Sequence, residues 1–221
     1  MSEERGSISD ERRGTIHVIA GTNGAGKSTV VGLQIRRLGG EYFNPDEATQ
    51  RILRANPGAA LADANSAAWH HGRKMLERAI EENGDVAIET TLGGRTITGL
   101  LQHACRRAMR VEVWYVGLEG VDLHIERVRR RVAEGGHGIP EPRIRERYDR
   151  SRENLISLMP ALSELWLYDN SGEAGESTGR IPPPLQVLHC RERAIVARCS
   201  MEDVPKWAKP IMAAAFRLRA S

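Results

Sequence analysis

The segment Gly21-Thr22-Asn23-Gly24-Ala25-Gly26-Lys27-Ser28-Thr29 constrains this chain more than any other. It matches the pattern G-x-x-x-x-G-K-[ST] at every fixed position. An apolar, β-branched run, residues 15–20 (TIHVIA), stands directly before it, and a stretch with helical spacing, 27–38, follows and stops at Gly39-Gly40. Each residue type has a physical reason. Gly21, Gly24 and Gly26 let the backbone curl and let phosphate oxygens approach closely. The exposed N–H groups, from Gly21 through Thr29, form an anion nest at the positive end of a helix. Lys27 reaches β- and γ-phosphates, and Ser28 offers a hydroxyl to Mg²⁺. The segment is a nucleoside-triphosphate site, with ATP and Mg²⁺ as the expected cofactors.

The rest of the chain reads as strands alternating with helices. Strands are expected at EYF (41–43), DVAIETT (85–91), VEVWYVGL (111–118) and ELWLYDNS (164–171). Helices are expected after Pro45, over 65–82 and over 96–109. An Arg-rich pair over 122–158 is broken by GGHGIPEP, QVLHCRERAIVARC reads as a late hairpin, and the tail from 203 reads as a helix. This alternation predicts an α/β fold of three layers, α/β/α, with a mainly parallel sheet and an Arg-rich helical lid. The division expected is a tail over 1–14, a P-loop domain over 15–172 with its lid at about 120–155, and a C-terminal extension over 173–221 packed on the same domain. Ligands of such sheets sit at the carboxyl ends of the strands.

Composition excludes several classes of function. Hydrophobic residues make up 40% and charged residues 28% of 221, ordinary for a globular protein. No apolar run is long enough for a membrane span, and the polar start MSEERGSISDERRG has no secretory core. Three cysteines without a CxxC pair argue against a disulfide framework or a cysteine-rich zinc site and fit a reducing cytoplasm. A net charge of +3 is too mild to imply nucleic-acid binding. A GTPase N-K-x-D element is absent, and LGGRT (92–96) and EGGHG (134–138) only echo the L-S-G-G-Q signature of transporter ATPases. What remains is a compact kinase-like architecture. Lys206, Trp207 and Lys209 read as a surface helix too short for membrane binding.

Two acids fall at the carboxyl edge of the sheet. Asp46 follows the second strand and Glu89 ends the third. A carboxylate there can take a proton from an acceptor hydroxyl, hold the acceptor, or orient Mg²⁺. A helix N-cap after Pro45 explains Asp46 equally well. Glu89 closes a buried strand, which costs free energy unless the group is paired or working. In the Arg-rich pair, Arg127 and Arg131 share one helix face, and Arg143, Arg147 and Arg150 form a stripe on the next helix. Like charges at helical neighbours repel, so an anion between the stripes is expected. A solvated basic surface and a nucleic-acid face are the competing readings. Only Tyr148 could stack on a base, which makes nucleic acid unlikely on composition.

The elements GTNGAGKST, FNPDEAT, AIETTLGGRT, RVAEGGHGIPEPRIRERYDRS and LYDNS, in this order over about 15–172, resemble the zeta toxin family of P-loop kinases. More narrowly, they are similar to a bacterial branch of predicted ATPases within it. The resemblance implies transfer of the γ-phosphate of ATP to a hydroxyl of UDP-N-acetylglucosamine, and an antitoxin protein as a possible partner. It implies Asp46 as catalytic base, with Lys27 and Ser28 in their P-loop roles. It also implies Glu89 and Thr91 as acceptor-binding groups, and Arg131 and Arg147 as lid arginines, with Arg127 and Arg150 as alternatives. The family brings an arginine soon after the threonine, whereas Leu92-Gly93-Gly94 here precede Arg95, the remaining candidate for the acceptor. A regulatory ATPase or a nucleic-acid-linked P-loop ATPase is the alternative function.

Overall fold

In a computed structural model, residues 13–30, 41–136, 138–172 and 182–219 are described. Among the described residues seven strands form one sheet: β1 Thr15–Ala20, β2 Glu41–Phe43, β3 Val86–Thr90, β4 Arg110–Gly117, β5 Glu164–Asp169, β6 Leu185–Arg191 and β7 Ala194–Arg198, in the order β2-β3-β1-β4-β5-β6-β7. The first five are parallel. β6 runs antiparallel to β5, and β7 to β6, so the expected late hairpin extends the same sheet. β1 lies between β3 and β4, so the chain builds to one side of β1 and then to the other. That reversal opens a crevice at the carboxyl end of β1, where the glycine-rich loop stands.

Alternate strand residues divide between the two faces. Val18, Ile88, Val113 and Leu167 join one core with α3 Leu61–Glu82, α4 Arg95–Arg106, α6 Glu141–Leu158 and α7 Lys209–Arg219. Ile19, Ala87, Trp114 and Val116 face the other way, onto Val30 of α1 Lys27–Val30 and Leu123 of α5 Val121–Ala133. Trp114 and Trp166 stack at 4.4 Å on that second face, and His189 stacks on Trp166 at 5.0 Å. Helices α5 and α6 share a small core of their own, Ile125, Val128 and Ile144.

Most element boundaries match their sequence-based expectations within a few residues; the helix predicted over 65–82 begins earlier, at Leu61. The predicted helix over 27–38 is described only to Val30, and His137 of the GGHGIPEP break and residues 173–181 of the C-terminal extension lie outside the described residues. No helix among the described residues is long and apolar enough to cross a membrane.

Trp207 departs from its expected surface position. It is 3% exposed. Its ring lies against Gly117, where a Cβ would stand 2.5 Å from Cη2, and its indole N–H donates to Asp169 Oδ1 at 2.7 Å. The lysines on either side suggested a wet helix, but the indole is the element's anchor to the ends of β4 and β5. Trp207→Ala should lower stability by about 3–5 kcal/mol. The thermal midpoint should fall by roughly 6–20 °C. An unchanged melting curve would show that the ring is not part of the core.

Candidate active site

The phosphate loop connects β1 to α1. Gly21, Gly24 and Gly26 have φ of 138°, 84° and 80°, a region that side chains resist. Space forbids a side chain as well: a Cβ on Gly21 would stand 2.1 Å from the Val116 carbonyl oxygen, and one on Gly24 2.6 Å from that of His124. Three side chains hold three alternate carbonyls of the loop. Lys27 Nζ donates to Gly21 O at 2.9 Å, His124 Nδ1 to Asn23 O at 2.8 Å, and Asn170 Nδ2 to Ala25 O at 2.9 Å. With these carbonyls turned to the protein, the intervening N–H groups are left for an anion.

At the end of β3, Glu89 is paired. Oε2 accepts from Ser28 Oγ at 3.0 Å and from Asn44 Nδ2 at 2.9 Å, and Oε1 lies 3.6 Å from Lys27 Nζ. The Tyr42 hydroxyl also donates to Oε2, at 3.3 Å. Burial, with Glu89 beside it, pushes the Tyr42 phenol up to about 12, so it stays a neutral donor. The hydroxyl and carboxylate of Ser28 and Glu89 form an oxygen donor set that fits Mg²⁺. Among the described residues no group of three His, Cys, Asp or Glu side chains could hold a metal. Mg²⁺ here would therefore depend on the nucleotide's own phosphates.

Asp46 lies in the first turn of α2 Pro45–Ala55, and it is not the cap. Asn44 is the N-cap, its Oδ1 accepting from the N–H groups of Asp46 at 2.9 Å and Glu47 at 3.1 Å. Asn-Pro followed by two acids is a helix-start signal, and it accounts for the turn without the Asp46 carboxylate. That carboxylate instead faces Arg131 Nη1 at 3.4 Å across the crevice, with the two side chains 50% and 37% exposed. A pair this wet contributes little to stability.

The four candidate lid arginines separate. Arg131 reaches Asp46, and Arg147 Nη1 donates to Asn23 Oδ1 at 2.8 Å. Arg127 Nη2 donates to Gly172 O at 3.1 Å, and Arg150 pairs along its own helix with Glu146. Burial, and then the charge of Arg143, hold the Arg147 guanidinium below its ordinary pKa. Thr91 spends its carbonyl on Ser151 Oγ at 2.6 Å, and its hydroxyl accepts from Gly93 N at 3.4 Å. Arg95 opens α4 and is exposed.

His124, Asn44, Tyr42 and Asn170 join the site without having been singled out in the sequence. Of these only Asn44 carried a local signal, the cap.

His124 is 1% exposed, and burial pulls its imidazole down to about 4, with Lys27 and Arg127 adding to the shift. The unfolded chain therefore takes up its proton first, and stability is lost as pH falls from 6.5 toward 4. Between pH 7.5 and 5 the loss for wild type should exceed that for His124→Gln by about 2 kcal/mol. Urea unfolding at the two pH values measures it, and equal losses would remove His124 as the cause.

A family model for zeta toxin matches residues 2–174. A Haemophilus influenzae protein described only as uncharacterized is 30% identical over 131 residues, 58% of this chain and 88% of that protein. Among solved structures, the AvrRxo1-ORF1:-ORF2 complex with ATP is similar at a TM-score of 0.63 and 16% identity, over 94% of this chain and 65% of that one. The native complex gives 0.64 and 15%, over 95% and 72%. This chain thus spans about two thirds of the ATP-bound relative's length. The fold is that of the P-loop kinases, and the family match covers most of the sequence: the chain belongs to the zeta toxin family.

Proposed function

We propose that the protein is an ATP-dependent kinase that phosphorylates a hydroxyl of a small acceptor, with UDP-N-acetylglucosamine as the first candidate. One observation carries the reading. Two helices of one lid reach both halves of the site, Arg131 to the acid Asp46 and Arg147 to the phosphate loop at Asn23. An acid opposite the phosphates supplies the base that transfer to a hydroxyl requires. The ATP in the AvrRxo1-ORF1:-ORF2 complex supports the choice of nucleotide. That complex also supports a protein partner for this chain, an antitoxin in the family's pattern.

In this mechanism the loop N–H groups and Lys27 hold the β- and γ-phosphates. Ser28 and Glu89 are the residues that would hold Mg²⁺, which would supply positive charge to offset that of the phosphate oxygens. The acceptor oxygen attacks the γ-phosphorus while its proton passes to an Asp46 oxygen. The bond from the γ-phosphorus to the β–γ bridging oxygen breaks, and ADP leaves. Arg131 and Arg147 stabilise the charge that develops on the transferring group. Thr91, Arg95 and the Glu89 network stand on the acceptor side. In a cytoplasmic setting, both ATP and nucleotide sugars are at hand.

Three variants test the reading. Lys27→Ala should abolish binding of a fluorescent ATP analogue, and equal affinity with wild type would remove the nucleotide site. Asp46→Asn should bind ATP normally and lose about 10²–10⁴-fold in transfer. The readout is mass-spectrometric gain of phosphate by a metabolite extract spiked with UDP-N-acetylglucosamine. Normal turnover by Asp46→Asn would dismiss the base, and a labelled protein band with no small-molecule product would dismiss the acceptor class. Arg131→Ala should lower kcat more than it weakens nucleotide binding. Loss of RNA or DNA binding with turnover spared would favour the nucleic-acid reading instead.

A further inference from the structure

We infer that Gly93 and Asn23 are positioning residues for the Arg147 guanidinium: the bare backbone at 93 seats its stem, and the Asn23 side chain fixes its head. What the guanidinium does there rests on the kinase reading; where it is held does not.

Gly93 is glycine because of a contact. Its φ lies outside the left-handed region, whereas that of its neighbour Leu92 is 53°. A Cβ on Gly93 would stand 2.7 Å from Arg147 Cγ, 3.2 Å from its Cβ and 3.4 Å from its Cα. The first distance is closer than carbon atoms tolerate, so a methyl group must displace something. The loop cannot retreat. Leu92 is 1% exposed and its carbonyl accepts from Asn154 Nδ2 at 2.7 Å; the Thr91 carbonyl accepts from Ser151 Oγ at 2.6 Å. Ser151 and Asn154 lie on α6, the helix that carries Arg147, one to two turns further along. The loop is therefore fixed to the helix beside the arginine, and the arginine stem is the part left to yield.

The far end is fixed too. Arg147 Nη1 donates to Asn23 Oδ1, and Asn23 is 8% exposed. The Asn23 main chain cannot swing, because its carbonyl accepts from His124 on α5. One lid helix thus steadies the anchor that the other lid helix grips. A long, flexible side chain is brought to the phosphate loop with its direction already set. The same stem touches the loop after β3 on the acceptor side, so Arg147 connects the two halves of the site. Transfer rates depend steeply on such placement.

The test is a double-mutant cycle on the full chain, read as ATP turnover with UDP-N-acetylglucosamine present. Gly93→Ala and Asn23→Ala should each lower kcat by roughly 10–100-fold. Placed in an Arg147→Ala background, each should add less than about twofold, because the group they position is gone. Losses that multiply in the double variants would overturn the inference. Asn23→Ala introduces no steric clash and keeps the cycle usable if Gly93→Ala fails to fold. A second readout is independent of turnover: the Arg147 Nε–Hε resonance in nitrogen-15 NMR of the nucleotide-free protein. It should be dispersed in wild type and collapse into the free-arginine envelope in either variant. A resonance unmoved by both would overturn the positioning. If wild type transfers no phosphate, the kinase reading falls, and the resonance alone decides this one.

Discussion

A phosphate cradle made of free backbone N–H groups has no hydrogen-bonded ladder to hold its shape, so it must be braced from outside. Here the bracing is done at the carbonyls of Gly21, Asn23 and Ala25 by Lys27, His124 and Asn170. The three braces come from the start of α1, from α5 and from the segment after β5. Each would leave a polar group buried and unsatisfied if its partner moved, at a cost of about 1–3 kcal/mol. The order of the strands therefore serves the loop. β1 must be central for the segments following β4 and β5 to converge on its end, and the reversal of the chain at β1 puts them there.

The lid follows from the same constraint. Its helices are amphipathic in the ordinary way, with Ile125, Val128 and Ile144 packed together. They are also docked through side chains that belong to the site. Arg131 rests on an exposed acid. Arg147 rests on a buried amide, a contact built to last. The two contacts differ in kind, a solvent-exposed ion pair for Arg131 and a buried amide for Arg147.

Local readings succeeded where local physics decides. The apolar runs at 15–20 and 111–118 are buried strands because nothing else hides so many β-branched groups, and Gly21 to Gly26 is a loop because its three positive-φ positions favour glycine. The Asn44 cap is written as plainly in Asn-Pro-Asp-Glu, and it is Asn44, not Asp46, that caps the helix. Other groups were out of reach. His124 meets Asn23 across 101 positions and Asn170 meets Ala25 across 145, contacts that only the strand order creates. Helical spacing put Arg143, Arg147 and Arg150 on one stripe, and packing against Gly93 distinguishes Arg147. Trp207 read as surface because its neighbours are lysines, whereas its burial depends on a glycine ninety residues away.

That tryptophan bears on how far the functional unit extends. The zeta toxin match stops at residue 174, yet the bracing of the site does not. The Trp207 N–H donates to Asp169 Oδ1, which also accepts from Ser171 Oγ; Ser171 Oγ accepts from Glu119 N at the mouth of α5. Asn170, between these two residues, holds the Ala25 carbonyl. A residue outside the family match thus sets the turn that carries one of the three braces. The indole also covers Gly117, the last residue of β4, next to Val116, whose carbonyl forbids a side chain at Gly21. Truncation at the family boundary would remove this support along with β6 and β7, exposing the edge of β5 to water. The phosphate loop is generic, but the structure that keeps it open in this protein extends into its C-terminal segment.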